Sequence, residues 1–585
     1  MGPFRQRRKS KARCYVIAET PARGPAPKAA LTAESRRARH ADRAKNRIAM
    51  CALVSCAAFG ALALRLAFVS LNGPPDTGAL TLATELDRPR PEIVDRNGVL
   101  LATNLPMIAL EIAGGEVWDP AETARTLAKT FPEIDRAALE KKLREDRYVE
   151  VKGDMTPAEQ DAAFALGLPG VRFSARTRRF YPQEALAAHV VGHSEPGKGG
   201  VMGLEAYLNT REGEGPLVAS IDLRVQQALE DELDGAVRET SAKAGWGAVM
   251  DVDTGEIIAL ASLPDFDPNA PGAAPADWRR NRATYDRYEL GSAFKTVTAA
   301  AALESGTASE SSVYDARGVY RVADRTIGDF HGENRMLSFS EVIQYSSNIG
   351  AARMAADLGA ERQRAAFKAL GQLDPLPIEL AENRAPELPQ RWGPVETATI
   401  AYGHGISETP LHLLAAFTAV INGGDYRAPT FLRSKTRAGK KVFSARTSAT
   451  MRRALRRVIT DGTAEYAEAD GYFPIGKTAT AEKPSRGGYD AATRIATFVG
   501  AFPGFAPRYS VLISLDDPQP TKTSFGYATA GWNVAPAFSR LVQRIAPSLG
   551  VMPVNEATAL AGFYDGYRSA SAAPAATPPA SGGRE

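Results

Sequence analysis

The sequence predicts an α+β protein with an N-terminal transmembrane helix, a smaller mixed module, and a large module. The large module carries a five-stranded antiparallel sheet with helices on its faces and an all-helical subdomain. Three observations carry this. Residues 48–64 are free of charge, and 66–71 extend the run to the roughly 20 apolar residues that span a bilayer. Between about 216 and 550 a helix and two strands come first, then a helical stretch, then three strands and a helix. A parallel doubly wound sheet would need strands and helices alternating throughout. A chain of 585 residues is also too long for one ordinary domain.

Residues 1–47 carry 14 Lys/Arg against Glu19, Glu34 and Asp42, a net charge of +11. The whole chain is only +4, so the remainder carries −7. That asymmetry argues against a nucleic-acid-binding body and for a basic tail, read as disordered and cytoplasmic. Positive charge stays inside, which puts everything after residue 71 outside, with the 48–71 segment as a single-pass anchor. A cleaved signal peptide would have a shorter charged region, and a buried core helix would lack the flanking charge run. The cysteines are Cys14, Cys51 and Cys56, so the large C-terminal part can hold no internal disulfide.

The first module, 85–215, opens with two strands joined at Asn97-Gly98, the strongest two-residue hairpin signal. Asp95 and Arg96 beside it are expected to make a structural ion pair or turn contact. Helices are expected over 122–130 and 137–145, and another starts at Thr156 with a capping box and Pro157. Residues 171–181 alternate as a half-exposed strand. His189 and His193 have a metal-like spacing, but Gly192 between them and the lack of a nearby third ligand favour a structural role.

In the large module, 216–550, Asp222 is expected to cap a helix from Leu223 to about Ser241. Strands are expected at 246–251 and 257–262, joined by a hairpin, and at 476–481, 494–502 and 509–515. Helical sequence is expected after residue 292 through 356 and over 410–422, with a closing helix over 535–545. Residues 551–585 form a tail, disordered from about 569 by its Ala, Pro, Ser and Gly content.

The chemistry centres on Ser292-Ala293-Phe294-Lys295. Positions i and i+3 share one face of a helix, so the hydroxyl and amine can meet. A buried lysine, its pKa lowered by desolvation, can take the proton of a serine and make it a nucleophile. Alone this is a weak motif. It is strengthened by Ser346-Ser347-Asn348 and Lys477-Thr478-Ala479-Thr480, which follow in order.

With these three stretches the chain resembles the penicilloyl serine transferases, whose signatures are Ser-x-x-Lys, Ser-x-Asn and Lys-Thr-Gly. Further motifs narrow the resemblance to the class B penicillin-binding proteins, specifically the septal peptidoglycan D,D-transpeptidases. These are Arg96-Asn97-Gly98, Tyr181-Pro182, Ala188-His189-Val190, Gly203-Leu204-Glu205, the 221–226 run, Gly403-His404-Gly405 with Thr409-Pro410-Leu411, and Asn422-Gly423-Gly424. The resemblance covers about 45–548. It implies a pedestal (dimerisation-type) module over 85–215 and a transpeptidase domain over 216–550. It implies that Ser292 attacks the carbonyl between two D-alanines, Lys295 takes its proton, and Ser346 relays a proton to the leaving amine. Asn348 would hold the substrate amide and the lysine. Lys477 and Thr478 would face the substrate carboxylate, and the N–H groups of Ser292 and Thr480 would form the oxyanion hole. It also implies no cofactor or metal, peptidoglycan stem peptides and β-lactams as ligands, and a division-complex lipid-II polymerase and regulators as partners.

The third motif ends in Ala479 where the family has glycine, which leaves open a catalytically weakened scaffold of the division complex. Leu290 stands where many relatives have proline. An elongation-specific transpeptidase is the second alternative, though its first module usually carries longer insertions. A β-lactam sensor would need more membrane spans. No Gly-x-Ser-x-Gly elbow is present, and beyond the 189/193 pair the six histidines show no metal spacing. Glu379 with Asn383 echoes a deacylating glutamate by spacing alone, and His331 is expected in a loop hydrogen bond.

Overall fold

The computed structural model describes residues 49–65, 90–213, 215–433, 438–485 and 488–571. The chain divides into two units, residues 1–84 and residues 85–585. In the first, 49–65 are helical with exposed apolar side chains, while the basic tail and 66–71 lie outside the described residues. Among the described residues no helix is long and apolar enough to cross a membrane.

The second unit begins with a five-stranded sheet of Ile93–Val94, Leu100–Ala113, Tyr148–Met155, Val171–Phe180 and Leu217–Val218. The first two strands pair antiparallel around the Asn97-Gly98 turn. Asp95 Oδ1 accepts the N–H groups of Asn97 and Val99, both at 2.8 Å, which holds the turn. Arg96 reaches away to Glu256 at 3.1 Å, tying this module to the next. Helices Pro120–Thr130 and Arg136–Arg144 are capped by Asp119 and Asp135, and Pro157–Ala165 has the reciprocal Thr156/Glu159 capping box. They cover a small core of Leu110, Ile112, Leu127, Leu143 and Val149. Both histidines of the 189/193 pair are buried edge-on against Phe266, and His189 Nε2 lies 2.8 Å from the Trp278 carbonyl. Burial pushes His189 down to about 4, so it packs as a neutral ring.

The remainder holds helices α1 (Leu223–Thr240), α2 (Lys295–Glu304), α3 (Asn348–Leu358), α4 (Pro410–Ile421), α5 (Ala445–Thr460), α6 (Ala535–Ile545) and α7 (Glu556–Ser571). Its strands are β1 (Ala244–Asp251), β2 (Ile257–Leu263), β3 (Ile475–Ser485), β4 (Gly488–Phe502) and β5 (Tyr509–Asp516). They form one sheet in the order β3-β4-β5-β1-β2, with every pairing antiparallel. Asp222 caps α1 by accepting the Arg224 N–H at 3.0 Å. Helices α1 and α6 pack together on one face of the sheet, and α4, buried along its whole length, packs on the other. Trp246, Phe498, Phe502 and Phe538 fill the space between layers.

The sheet order leaves β3 at an edge, with the Gly291–Phe294 turn and α5 beside it. An edge strand keeps half of its backbone groups free for a ligand.

Three elements differ from expectation. The 313–338 stretch, read as helical, holds two short antiparallel pairs: Val313–Asp315 with Met336–Ser338, and Tyr320–Val322 with Arg325–Ile327. Strands of three residues are too short to show a period. Helix α5 was not foreseen, although its buried face repeats at helical spacing (Met451, Leu455, Val458). The C-terminal stretch expected to lose order near 569 is helical through Ser571, anchored by Phe563 against Phe505. Residues 572–585 lie outside the described residues.

Candidate active site

Ser292 sits in a turn of 3-10 helix, Gly291–Phe294, that runs directly into α2. The approach to it is fixed from both sides. The Tyr288 ring stacks on Trp246 with centroids 4.5 Å apart, and its backbone pairs with Glu408. Gly403, at φ 85°, passes so close to Gly291 that a Cβ there would lie 2.1 Å from the Gly291 carbonyl oxygen. Only glycine permits that approach. Next to it, Gly405 donates its N–H to Glu289 at 2.8 Å, and burial pushes His404 below its ordinary value.

Lys295 is 1% exposed, and its Nζ is the hub of the site. It lies 3.0 Å from Ser292 Oγ, 2.6 Å from the Ser346 carbonyl, 3.1 Å from Ser346 Oγ and 2.7 Å from Asn348 Oδ1. Burial holds its amine well below the usual lysine range. The Lys477 charge adds to that depression, and Asp329 opposes it. A neutral amine has two N–H donors and one lone pair. The Ser346 carbonyl and Asn348 Oδ1 can only accept, so they take both donors. The lone pair is left for a hydroxyl, and Ser292 at 3.0 Å and Ser346 at 3.1 Å both offer one. This arrangement is that of a base facing a nucleophile.

Ser346 reaches the lysine with both its carbonyl and its hydroxyl because its backbone is left-handed, φ 60°. The turn reverses the chain between helix Phe339–Gln344 and α3. Ser347 then caps α3 by accepting the Gly350 N–H at 2.9 Å. The Asn348 amide nitrogen donates to the Gly328 carbonyl at 3.2 Å, which turns its oxygen toward Lys295.

Lys477, Thr478 and Thr480 lie on edge strand β3, beside the Gly291–Phe294 turn. Lys477 is fully buried, donates to the Thr478 carbonyl at 3.0 Å, and is pushed down to about 7 by burial. The Thr478 hydroxyl lies 2.6 Å from that of Thr463, and Thr480 Oγ1 accepts the Ala530 N–H at 3.2 Å. The methyl of Ala479 is buried at 3% exposure among the sheet's core residues.

Ser292, Lys295, Ser346 and Asn348 are thus within one hydrogen-bonded cluster, and Lys477 is near enough for its charge to act on Lys295. The other candidates are engaged elsewhere. Glu379 accepts from Thr430 Oγ1 at 2.7 Å and from the Phe431 N–H at 2.8 Å, and Asn383 donates to the Leu376 carbonyl. The His331 ring rests against Phe330. Sequence reasoning missed Asp329, Thr463 and the closeness of Gly403 to Gly291, none of which has a local pattern.

Known proteins share this organisation. The family model for the penicillin binding protein transpeptidase domain matches residues 245–542, and that for the penicillin-binding protein dimerisation domain matches 86–209. The chain is 40% identical over 490 residues to the "Probable peptidoglycan D,D-transpeptidase FtsI" of Caulobacter vibrioides (strain NA1000 / CB15N), covering 81% of this chain and 83% of that protein. It is 30% identical to the "Stage V sporulation protein D" of Bacillus subtilis (strain 168), covering 79% of each. It is 27% identical to the "Peptidoglycan D,D-transpeptidase FtsI" of Escherichia coli (strain K12), covering 79% of this chain and 84% of that protein. Two family models in order along one chain, and the extent of these matches, place it: the chain belongs to the class B penicillin-binding proteins of the FtsI type.

Proposed function

We propose that this chain is a septal peptidoglycan D,D-transpeptidase that crosslinks stem peptides through a Ser292 acyl-enzyme. The observation that carries the reading is the buried Lys295 amine, held 2.6 Å from the Ser346 carbonyl and 2.7 Å from Asn348 Oδ1 and lying 3.0 Å from Ser292 Oγ.

Lys295 takes the Ser292 proton as Oγ attacks the carbonyl of the penultimate D-alanine. The oxyanion forms between the N–H groups of Ser292 and Thr480, where losing one donor typically costs about 3 to 4 kcal/mol. Ser346 passes a proton to the leaving nitrogen, and the terminal D-alanine departs as a free amine. The acyl group then moves from Oγ to the amine of a second stem peptide, whose surplus proton returns by the same groups. Asn348 orients the peptide amide. Lys477, as the ammonium, and Thr478 receive the substrate carboxylate, a charge-assisted pairing at a sheet edge. A β-lactam acylates the same serine but keeps its leaving nitrogen tethered.

The 48–71 segment anchors the enzyme in the inner membrane, with the N-terminus cytoplasmic and the catalytic domain periplasmic. The basic tail and length of the apolar run support this. The anchor and pedestal module are the surfaces for the lipid-II polymerase and regulators of the division complex. The scaffold alternative loses ground because the Ala479 methyl is packed into the core.

The test is fluorescent-penicillin labelling of intact membranes. Labelling that vanishes in Ser292→Ala supports the reading, and an unlabelled wild type contradicts it. Depletion that gives filaments rather than round cells assigns it to division.

A further inference from the structure

Asp329 lies outside the three motifs, yet its carboxylate is built into the site. Oδ2 accepts the Ser347 hydroxyl at 2.6 Å, while Oδ1 accepts the N–H groups of Asn348 and Ile349, the latter at 2.9 Å. These are donors at the start of α3, which have no partner within the helix and favour a negative charge. The preceding residue, Gly328, holds the Asn348 side chain through its carbonyl. One short segment therefore grips Asn348 by backbone and side chain together.

The charged and titratable groups that face Lys295 come from three elements. Lys477 on β3 and Asp329 on the 328–329 segment act on it directly. His404, from the 402–405 turn, also interacts with it and with Glu289 and Glu482. From its own turn and from the Ser346–Asn348 turn it meets only the uncharged Ser292, Ser346 and Asn348. Within this set Asp329 is the group whose negative charge favours the ammonium, against burial and Lys477.

We propose that Asp329 is a positioning residue of the transpeptidase site: its carboxylate fixes the Ser346–Asn348 turn on Lys295 and holds a negative charge against the residue that grips that lysine. It touches neither substrate nor the reacting atoms. It acts through the turn and through the lysine. The inference rests on Ser292 and Lys295 working as proposed above.

The two roles separate by substitution. Asp329→Asn keeps an oxygen for the Asn348 and Ile349 N–H groups but removes the charge. Lys295 then loses its proton more readily, so the acid limb of the acylation profile moves to lower pH. Asp329→Ala also releases the turn, and displacements of about 1 Å cost on the order of 10²-fold in rate. Ser347→Ala removes one anchor and leaves the charge, so it slows acylation without moving the limb.

The experiment is the second-order rate of acylation of the full-length protein by a fluorescent penicillin, from about pH 5 to 9. Wild type and variants are compared, with melting temperatures alongside. A lowered acid limb in Asp329→Asn, with a roughly 10²-fold loss in Asp329→Ala, supports the proposal. An unmoved limb in Asp329→Asn overturns it, as does a wild-type rate in Asp329→Ala. Should Asp329→Asn fail to fold, Ser347→Ala decides: slower acylation with an unmoved limb supports the positioning role, and a wild-type rate overturns it. A wild type that is not acylated at all contradicts the Ser292 reading itself, which keeps the two failures apart.

Discussion

The carbonyl oxygen of Ser346 lies 2.6 Å from Lys295 Nζ, closer than the serine's own hydroxyl at 3.1 Å. The left-handed backbone at Ser346 makes this possible, and it gives one residue two separable jobs. The carbonyl holds the amine, and the hydroxyl is placed to move a proton.

Those jobs come apart in two variants. Ser346→Gly and Ser346→Ala both keep the carbonyl and lose the hydroxyl, so both should lose about 10²- to 10⁴-fold in acylation rate, the usual contribution of a proton-transfer group. They should differ in stability. Alanine at φ 60° keeps a left-handed strain of roughly 1 to 2 kcal/mol that glycine escapes. Penicillin kinetics and thermal melts measure the two effects independently.

Stability should rise with pH above neutrality because of the buried lysines. In the unfolded chain Lys477 titrates at about 10.4, whereas burial holds it at about 7 in the fold. Between those values the unfolded state binds more protons, so the folded state gains as pH increases. Lys295 contributes with the same sign. Lys477→Met should therefore be more stable than wild type near neutral pH, show a smaller gain toward alkaline pH, and bind penicillin poorly. Denaturation at several pH values checks this, and a wild type whose stability falls over that range contradicts it.

Gly403→Ala tests the packing behind the nucleophile. Its new methyl would fall 2.1 Å from the Gly291 carbonyl oxygen, a backbone atom that cannot swing aside. The Ser292 turn must shift, and a displacement of about 1 Å should reduce acylation on the order of 10²-fold. Covalent labelling rates, read beside a circular-dichroism melt, separate this from unfolding.

Ala479→Gly should change little. The methyl is buried, on the same face of β3 as Lys477 and Ala481, and removing it leaves a small cavity and a more flexible strand. A loss near 1 kcal/mol in stability with an unchanged labelling rate is expected. A large gain in labelling would show that the methyl obstructs the cleft.

Much of this was legible in the chain because it is written locally. Asp222 and the Thr156/Glu159 box announce helix starts through side chains that bond their own backbone. The Asn97-Gly98 turn and the alternation over 171–181 announce strands. Ser292 and Lys295 are neighbours on one turn, so their spacing alone predicts their meeting. The rest depends on tertiary placement. The short strands around Tyr320 and Met336 are too brief to show a period. Asp329 reaches Asn348 across a short strand and a helix. Thr463 meets Thr478 only because the loop after α5 folds back on β3. A lysine's burial, on which its chemistry depends, follows from what packs around it and not from its neighbours in sequence.

The most direct measurement is mass spectrometry of the peptides released after reaction with a penicillin. The account predicts a single ester adduct on the peptide containing Ser292, absent in Ser292→Ala and strongly slowed in Lys295→Arg, whose side chain cannot give up its proton. An adduct on Ser346 or on any other residue, or a Lys295→Arg variant that reacts at the wild-type rate, would contradict it.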